Sequence, residues 1–238
     1  MAGTGSRLRG TTQALPKPLI RIAGRPLISY TIASFEKIGV QNIHAVVGPN
    51  GEELAAAVAP LLPSSMRFHA VPNSNWQKQN GVSVLTVAGK VRAPFFLTMG
   101  DHLFEPEILN RLLNHSDTEK LNLAIDRKID SIFDLADAMK VQTQGDLVVA
   151  IGKNLSSYDA IDTGIFLCPE SIFDFLRGEL RDDDCSLADG VRAMALAGKV
   201  RAIDIGEAWW QDVDTPEMLA EAERLTSGRA QPDLQGQR

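Results

Sequence analysis

The sequence has few cysteines, few aromatic residues and no long apolar run. Two of its 238 residues are cysteine and 6% are aromatic. Two cysteines are too few for a disulfide framework, and Cys168 and Cys185 lack the spacing of metal ligands. No apolar run approaches the roughly 18 residues that cross a bilayer, and the N-terminal residues lack the apolar core of a signal peptide. These absences argue against a disulfide-rich secreted domain and a membrane protein, and they predict a cytoplasmic protein with reduced thiols.

Basic residues are fewer than acidic ones, with 24 Lys and Arg against 30 Asp and Glu. The formal net charge is −6 at pH 7, which disfavours non-specific binding to nucleic acid. The aspartates at 182–184 form a block of like charge that is typical of a solvated loop. Hydrophobic residues make up 44% of the chain, an ordinary value for a packed globular protein. Any site for an anionic ligand is therefore expected to be local.

The stretch FFLTMGDHLF at residues 95–104 is an apolar run that stops at Gly100 and Asp101. Such a run is typical of a strand buried in a sheet that is covered on both faces. Ligands of open α/β sheets bind at the carboxyl ends of the strands, so Asp101 is a candidate site residue. The alternative is that Asp101 caps the helix that starts near Glu105.

Helical and strand patterns alternate along most of the chain. Leu27, Ile28, Ile32 and Phe35, for example, lie on one face of a helix that stops at Gly39. Alternation at this spacing predicts βαβ units, and thus a Rossmann-like, mostly parallel mixed sheet with helices on both faces. The Gly-Asp pair at 145–146 predicts an antiparallel hairpin within it. One domain is expected over residues 1–226, followed by a disordered tail at 227–238.

The N-terminal stretches AGTGSRL at residues 2–8 and LPKPLI at 15–20 carry a second candidate site. Small residues let backbone amides approach phosphate oxygens, and Arg7 and Lys17 add positive charge. The prolines on either side of Lys17 stiffen its backbone. A flexible terminus is the alternative interpretation of the glycines. The strand that normally precedes such a loop is missing, so we expect either a chain start upstream of Met1, which we favour, or a sheet without that strand.

Three further places are candidates because polar residues interrupt regular structure. Asn80, Gly81 and Ser83 lie at the start of a predicted helix, where they face a ligand or where Asn80 caps the helix. Asp126 ends a predicted strand. The sequence Asp162-Thr163-Gly164 interrupts another strand, and glycine within a strand often marks the close approach of backbone or ligand.

Taken together, AGTGSRL, PKPLI, TMGDH, IGK, IDTGIF and WWQDVDT, in this order and spacing, resemble the sugar-nucleotidyltransferase-like superfamily over residues 2–225. TMGDH followed by DVDT resembles most the inositol-1-phosphate cytidylyltransferase branch. The resemblance implies a fold of the nucleotide-diphospho-sugar transferase type. It also implies transfer of a cytidylyl group from CTP to a phosphorylated alcohol, inositol 1-phosphate, with release of pyrophosphate.

The same resemblance implies a role for each matching residue. It implies that Mg²⁺ is the cofactor and is bound by Asp101 and Asp214, with Asp212 beside them. The base and ribose would be bound by Ala2, Gly3, Asn80, Gly81 and Ser83, and the triphosphate would be met by Gly5, Ser6, Arg7 and Lys17. The acceptor side would carry Lys153, Asp126, Asp162 and Thr163. Arg7, Lys17 and Lys153 would be the catalytic cations.

Three alternatives stay open from the residues themselves. The first is a non-catalytic nucleotide-binding module, which the presence of both acids and of Lys17 disfavours. The second is a sugar-1-phosphate uridylyl- or thymidylyltransferase, because the sequence does not choose between CTP and UTP. The third is a phosphocholine cytidylyltransferase, whose substrate would need an aromatic cage. Trp209 and Trp210, close to the metal acids, are candidates for such a cage.

Overall fold

The computed structural model describes residues 16–229, with the backbone alone for the last three of these. The strands are β1 Arg21–Ile22, β2 Arg25–Pro26, β3 Asn42–Val47, β4 Arg67–Pro72, β5 Phe95–Thr98, β6 His102–Phe104, β7 Leu121–Asp126, β8 Lys140–Gln144, β9 Leu147–Gly152, β10 Ala160–Cys168, β11 Val200–Asp204 and β12 Trp210–Asp212. The α-helices are α1 Leu27–Lys37, α2 Gly51–Val58, α3 Asn80–Leu85, α4 Pro106–His115, α5 Ile172–Gly178, α6 Leu187–Leu196 and α7 Pro216–Arg229. Short 3₁₀ helices cover Lys17–Leu19, Ala59–Leu61 and Ile129–Ser131.

A six-stranded sheet in the order β5-β10-β7-β11-β9-β8 forms the centre of the protein. β7 is buried along its whole length, as expected of a strand covered on both faces. β7 and β11 pair in parallel, whereas β10 runs antiparallel to β5 and β7 and also to a short part of β8. Strands β3 and β4 form a separate parallel pair, and β6 and β12 form an antiparallel pair.

Side chains of alternating orientation divide the core into two layers. On β10, Phe166 and Cys168 face a cluster that includes residues of α5 and α6. Ile165 and Leu167 face the opposite cluster, which includes residues of α1, α2 and α4. Because successive strand residues point to opposite faces, one apolar strand supplies both layers. The result is a sheet between two layers of helices.

The predicted α/β fold with helices on both faces is therefore confirmed. The hairpin predicted at Gly145 is also confirmed, because β8 and β9 pair on either side of this residue. The sheet is less parallel than predicted: among the described strands, parallel pairing is confined to β3 with β4 and β7 with β11. The reason is that β10 lies antiparallel between strands that the alternating pattern would have placed side by side.

The predicted tail at residues 227–238 lies mostly outside the described part of the chain, in which α7 continues to Arg229. The boundary at residues 226 and 227 stays a prediction. Both cysteines are buried in the core and unpaired. Within residues 16–229, no helix is long and apolar enough to cross a membrane.

A cleft separates β3 from β5. Each of these strands is hydrogen-bonded along one edge, β3 to β4 and β5 to β10. Residues of both strands line one cavity of about 990 Å³, which we call the interstrand cleft. Among residues 16–229, no strand lies in it.

Candidate active site

Two aspartates and a lysine meet beyond the end of β5. Lys17 Nζ lies 2.7 Å from Asp101 Oδ2 and forms a second ion pair with Asp214. Asp101 follows β5 in the turn to β6, Asp214 follows β12, and Lys17 opens the 3₁₀ helix between two prolines. Three distant segments thus bring two carboxylates to one ammonium group.

Neighbouring charges raise the pKa of Lys17 and lower the pKa of Asp101, and both shifts favour the charged form. Burial acts to lower the pKa of Lys17, but the Asp101 and Asp214 carboxylates outweigh it and raise the pKa. Burial acts to raise the pKa of Asp101, but His102 and Lys17 outweigh it and lower the pKa. The neighbouring Asp212 responds differently: burial and the charges of Asp214 and Asp101 raise its pKa. Near neutral pH the ion pair of Lys17 with Asp101 is therefore fully charged.

His102 connects these acids to the next part of the site. Its Nε2 lies 3.6 Å from Asp101 Oδ1, and its Nδ1 lies 2.8 Å from the carbonyl oxygen of Thr163. The ring also packs against Gly164, where an added Cβ would lie 2.5 Å from His102 Cε1. Gly164 has φ +71°, a backbone conformation that favours glycine. The absence of a Cβ at Gly164 is thus what lets His102 approach this closely.

Asp126 at the end of β7 is buried and fully engaged by neighbours. It accepts hydrogen bonds from Trp210 Nε1 at 3.1 Å and from the Lys128 amide at 2.8 Å. Lys128 Nζ lies 2.9 Å from the same carboxylate and also donates to the Gly206 carbonyl. Asp126 therefore holds the Trp210 indole and the Lys128 side chain in place.

A cavity of about 760 Å³ opens beside this group. We call it the Asp162 cavity; its polar and aromatic lining includes His102, Lys128, Asp137, Lys153, Asp162, Arg192, Trp209, Trp210, Asp212 and Arg224. Burial raises the pKa of Asp162 to about 6, although the Gly164 amide and His102 act in the opposite direction. Lys153, at the end of β9, pairs with Asp137. A volume of this size suits a small ligand.

Thr163 was predicted on the acceptor side, but its side chain is placed elsewhere. Its hydroxyl donates to the Ala124 carbonyl at 2.8 Å, and the residue is fully buried in the sheet. Strand alternation turns Thr163 away from the face that carries Asp162. Its contact with the site is through its carbonyl oxygen, which accepts the bond from His102.

The residues predicted for the base and ribose have structural contacts of their own. Asn80 Oδ1 accepts from the Leu187 amide at the start of α6, at 2.8 Å. An added Cβ at Gly81 would lie 2.6 Å from the Cys185 carbonyl oxygen, so glycine lets α3 pack against that segment. Ser83 Oγ accepts from Asn73 at 3.1 Å. Asn80, Ser83 and Lys17 all line the interstrand cleft. Binding of a nucleotide by Asn80 and Ser83 stays a prediction.

Five predicted residues lie outside the described part of the chain: Ala2, Gly3, Gly5, Ser6 and Arg7. The structure brings six of the other predicted residues into two neighbouring sets. Lys17, Asp101 and Asp214 form one, and Asp126, Lys153 and Asp162 contribute to the other. His102 joins the two sets.

Sequence reasoning missed His102 and Lys128 as site residues, and it named Trp210 only as a candidate for an aromatic cage. The signal for His102 was present, since it directly follows Asp101 in TMGDH. The contact of Trp210 could not have been assigned, because its partner Asp126 lies 84 residues away.

The predicted magnesium ion can be tested against the donor set. No group of three His, Cys, Asp or Glu side chains within residues 16–229 is arranged to hold a metal ion. Asp101 and Asp214, however, both reach one cation, Lys17 Nζ. Magnesium is commonly bound by one or two carboxylates together with substrate phosphates. The two carboxylates therefore fit such an ion once phosphate oxygens complete its shell.

Comparison with solved structures defines the class of this fold. The inositol-1-phosphate CTP transferase from T. maritima matches with a TM-score of 0.85 and 28% identity, over 94% of this chain and 91% of that one. An apo UDP-glucose pyrophosphorylase matches with a TM-score of 0.79 and 16% identity, over 96% of each chain, and shows the fold alone. The fold is that of the nucleotide-diphospho-sugar transferases.

Comparison of sequences then gives the family. Residues 1–131 match the model of the MobA-like NTP transferase domain. The chain belongs to this family, and it is a nucleotidyltransferase.

Curated relatives extend the match to nearly the whole chain. The bifunctional IPC transferase and DIPP synthase of Rubrobacter xylanophilus is 36% identical over 232 residues, 96% of this chain and 51% of that protein. The protein of the same name from Aquifex aeolicus is 30% identical over 222 residues, 93% of this chain and 49% of that protein. The chain thus spans about half the length of these relatives.

Proposed function

We propose that this nucleotidyltransferase transfers a cytidylyl group from CTP to inositol 1-phosphate and releases pyrophosphate. The observation that carries the proposal is the convergence of Asp101 and Asp214 on Lys17, next to the Asp162 cavity. The likeness to the T. maritima inositol-1-phosphate CTP transferase supports this choice of substrates. The relatives named IPC transferase support it as well. A cytoplasmic location is part of the same proposal.

In the proposed reaction a phosphate oxygen of the acceptor attacks the α-phosphorus of CTP. A new P–O bond forms, and the bond from the α-phosphorus to the oxygen that bridges to the β-phosphate breaks. Pyrophosphate leaves with that electron pair. No general base is required, because a phosphate monoester already carries about −1.5 to −2 charges at pH 7. The protein has to align two anions and offset their repulsion.

Lys17 supplies positive charge to the triphosphate in this proposal. Its raised pKa keeps it protonated, and the flanking prolines hold its backbone. Asp101 and Asp214 would hold a magnesium ion, which when bound would neutralise charge on the reacting phosphates. In the same proposal the glycine-rich stretch at 2–8, with Arg7, cradles the phosphates, and Asn80, Gly81 and Ser83 bind the base and ribose.

The acceptor would occupy the Asp162 cavity. The Asp162 carboxylate would accept hydrogen bonds from the ring hydroxyls, and Lys153 would approach the phosphate. Lys153 pairs with Asp137, and both side chains are about half exposed, at 50% and 48%. An exposed pair of this kind contributes about 0–1 kcal/mol, so an incoming phosphate can replace Asp137 at small cost.

The phosphocholine alternative finds no support in the two tryptophans. Trp209 packs against a small cluster around Ile20 and Leu27, whereas Trp210 packs against the cluster of Ile108 and donates to Asp126. The two rings thus pack against different core clusters, although both residues line the Asp162 cavity.

One assay tests the proposal. Four nucleoside triphosphates are combined with inositol 1-phosphate, phosphocholine and glucose 1-phosphate, and pyrophosphate release is measured with and without Mg²⁺. We expect CTP with inositol 1-phosphate to give a kcat/KM at least about tenfold above every other pair. Faster release with UTP and glucose 1-phosphate would overturn the substrate assignment, while release with no pair would overturn catalysis by this chain.

A further inference from the structure

The cations that line the Asp162 cavity already have carboxylate partners. Among residues 16–229, the lysine and arginine side chains of this lining form the pairs Lys128 with Asp126, Lys153 with Asp137, Arg192 with Asp189 and Arg224 with Glu221. An anionic ligand that binds one of these cations in the cavity therefore has to compete with a carboxylate of the protein.

The pair of Lys128 with Asp126 is the hardest of these to open. The Asp126 side chain is only 4% exposed, and Lys128 Nζ also donates to the Gly206 carbonyl at 2.6 Å. Removal of one partner would leave a buried charge uncompensated, which is strongly destabilising. An entering anion is therefore not expected to take Lys128 from Asp126.

The two arginines pair with acids on their own helices. Arg192 contacts Asp189, whose carboxylate also accepts the hydrogen bond of the capping box at the start of α6. Arg224 makes two parallel bonds to Glu221, a geometry that strengthens an ion pair. Lys153 and Asp137, in contrast, come from different segments and are both about half exposed. Their pair is the one that a ligand can open most easily.

The start of β8 brings Lys153 and Asp162 to the same place in the sheet. Lys140 lies opposite Gly152 of β9 and opposite Ile161 of β10. Lys153 directly follows Gly152, and Asp162 directly follows Ile161, so both residues line one cavity. A ligand that offers hydroxyl groups to Asp162 can thus offer its phosphate to Lys153.

The backbone on both sides of the Lys153–Asp137 pair is held by a third side chain. Lys140 Nζ donates to the Lys153 carbonyl at 2.8 Å and to the Ala138 carbonyl at 3.4 Å. It also lies 5.8 Å from the centroid of the Tyr158 ring. Because Lys140 fixes these two backbone segments, the ion pair can open by movement of the Asp137 and Lys153 side chains alone.

We propose that Asp137 competes with the acceptor phosphate for Lys153 and thereby sets the affinity of the Asp162 cavity for phosphate esters. The inference rests on the proposed function, in which Lys153 approaches that phosphate. A carboxylate carries one negative charge, whereas a phosphate monoester carries about −1.5 to −2 at pH 7, so the ester prevails at Lys153. The displaced Asp137 then lies beside a second anion, and their repulsion lowers the affinity further. When the ligand leaves, Asp137 again compensates the charge of Lys153.

Calorimetric titration with inositol 1-phosphate tests this competition, with CTP and EDTA present so that no transfer takes place. Asp137→Asn is compared with wild type. Asp134→Asn is the matched control, because Asp134 lines the same cavity and accepts a bond from the Asp137 amide that asparagine can still accept. Lys153→Met, alone and combined with Asp137→Asn, completes a double-mutant cycle. Thermal melts check that each variant folds, and glucose 1-phosphate is titrated in parallel.

We expect Asp137→Asn to bind inositol 1-phosphate about threefold to tenfold more tightly than wild type, because a competing charge is gone. Asp134→Asn should stay within about twofold of wild type, and Asp137→Asn should change the Kd less than about twofold in the Lys153→Met background. Equal Kd values for wild type and Asp137→Asn would overturn the inference. An equal gain in Asp134→Asn or in the Lys153→Met background would overturn it too, because the effect would then be one of general charge.

The second ligand separates this inference from the proposed function. If glucose 1-phosphate binds and responds to Asp137→Asn while inositol 1-phosphate binds to none of the proteins, the proposed acceptor is wrong and the competition for Lys153 is supported. If neither phosphate ester binds to any of the proteins, the proposed acceptor site and the inference are both wrong.

Discussion

The Nδ1 atom of His102 lies 2.8 Å from the carbonyl oxygen of Thr163. Because a carbonyl oxygen accepts and cannot donate, Nδ1 carries the proton of this bond. Nε2 is then directed toward Asp101. One imidazole therefore fixes the distance between a carboxylate of the proposed metal site and the backbone turn that carries Asp162.

Substitution of His102 should disturb the acceptor side more than the nucleotide side. We expect His102→Ala to raise the KM for inositol 1-phosphate at least about tenfold, because the turn at Thr163 loses its anchor. His102→Asn places an amide nitrogen the same number of bonds from Cα as Nδ1 and should stay within about threefold of wild type. Steady-state kinetics in both substrates measure this. Equal defects in the two variants would contradict a positioning role through the Nδ1 bond.

The two metal acids give a second prediction. Asp101→Ala or Asp214→Ala should lower turnover at least ~100-fold, by analogy with the loss of a preorganised charge stabiliser. Asp174→Ala removes an exposed acid on α5, 80% accessible, and serves as the control. Thermal melts check that each variant folds. Near-wild-type turnover in either Asp101→Ala or Asp214→Ala would rule out the metal assignment.

Lys17 should affect both binding and chemistry. Lys17→Ala removes the cation that faces the triphosphate, so we expect a higher KM for CTP and a kcat/KM at least about tenfold lower. Lys17→Arg, which keeps the charge but not the compact ammonium, should recover part of the loss. Lys120→Ala, which breaks a surface pair with Asp117, is the matched control. Unchanged kinetics in Lys17→Ala would show that the residue is structural.

The raised pKa of Asp162 predicts that the stability of the protein depends on pH. Its pKa of about 6 in the folded protein lies above the ordinary value of 3.8, so the folded state holds this proton more tightly than the unfolded state. Its contribution to stability is therefore complete below about pH 4 and is lost as pH rises toward 6. Urea unfolding of wild type and Asp162→Asn from pH 4 to 7 isolates this group. A constant difference in free energy of unfolding across the range would show that the pKa is not raised.

Much of the fold was predictable because local signals agreed with it. The apolar spacing and the stop at Gly39 predicted α1, which ends at Lys37, and Gly145 with φ +63° closes the predicted hairpin. The three-residue strands β6 and β12 left no such signal, since their pairing joins residues about a hundred positions apart. Their antiparallel contact, and the position of β10 within the sheet, depend on tertiary packing that periodicity does not record.

The candidate site, like the fold, was predictable from the sequence only in part. The resemblance of motifs predicted Asp101, Asp214 and Lys17, and the structure brings them together. The motifs did not indicate that Thr163 directs its hydroxyl into the sheet. Nor did they indicate that the Asp126 carboxylate contacts Trp210 and Lys128. Such roles depend on which face of a strand a residue occupies and on side chains far away in the sequence.

The pairing of Lys17 with Asp214 joins segments that lie 197 residues apart in the sequence. Lys17 opens the 3₁₀ helix Lys17–Leu19, and Asp214 directly precedes α7. Because one ammonium group holds these two segments together, opening either of them separates the reactive groups. Segments outside the central sheet can open at a lower free energy than its core strands, so catalytic activity should disappear at urea concentrations where the central sheet is still intact.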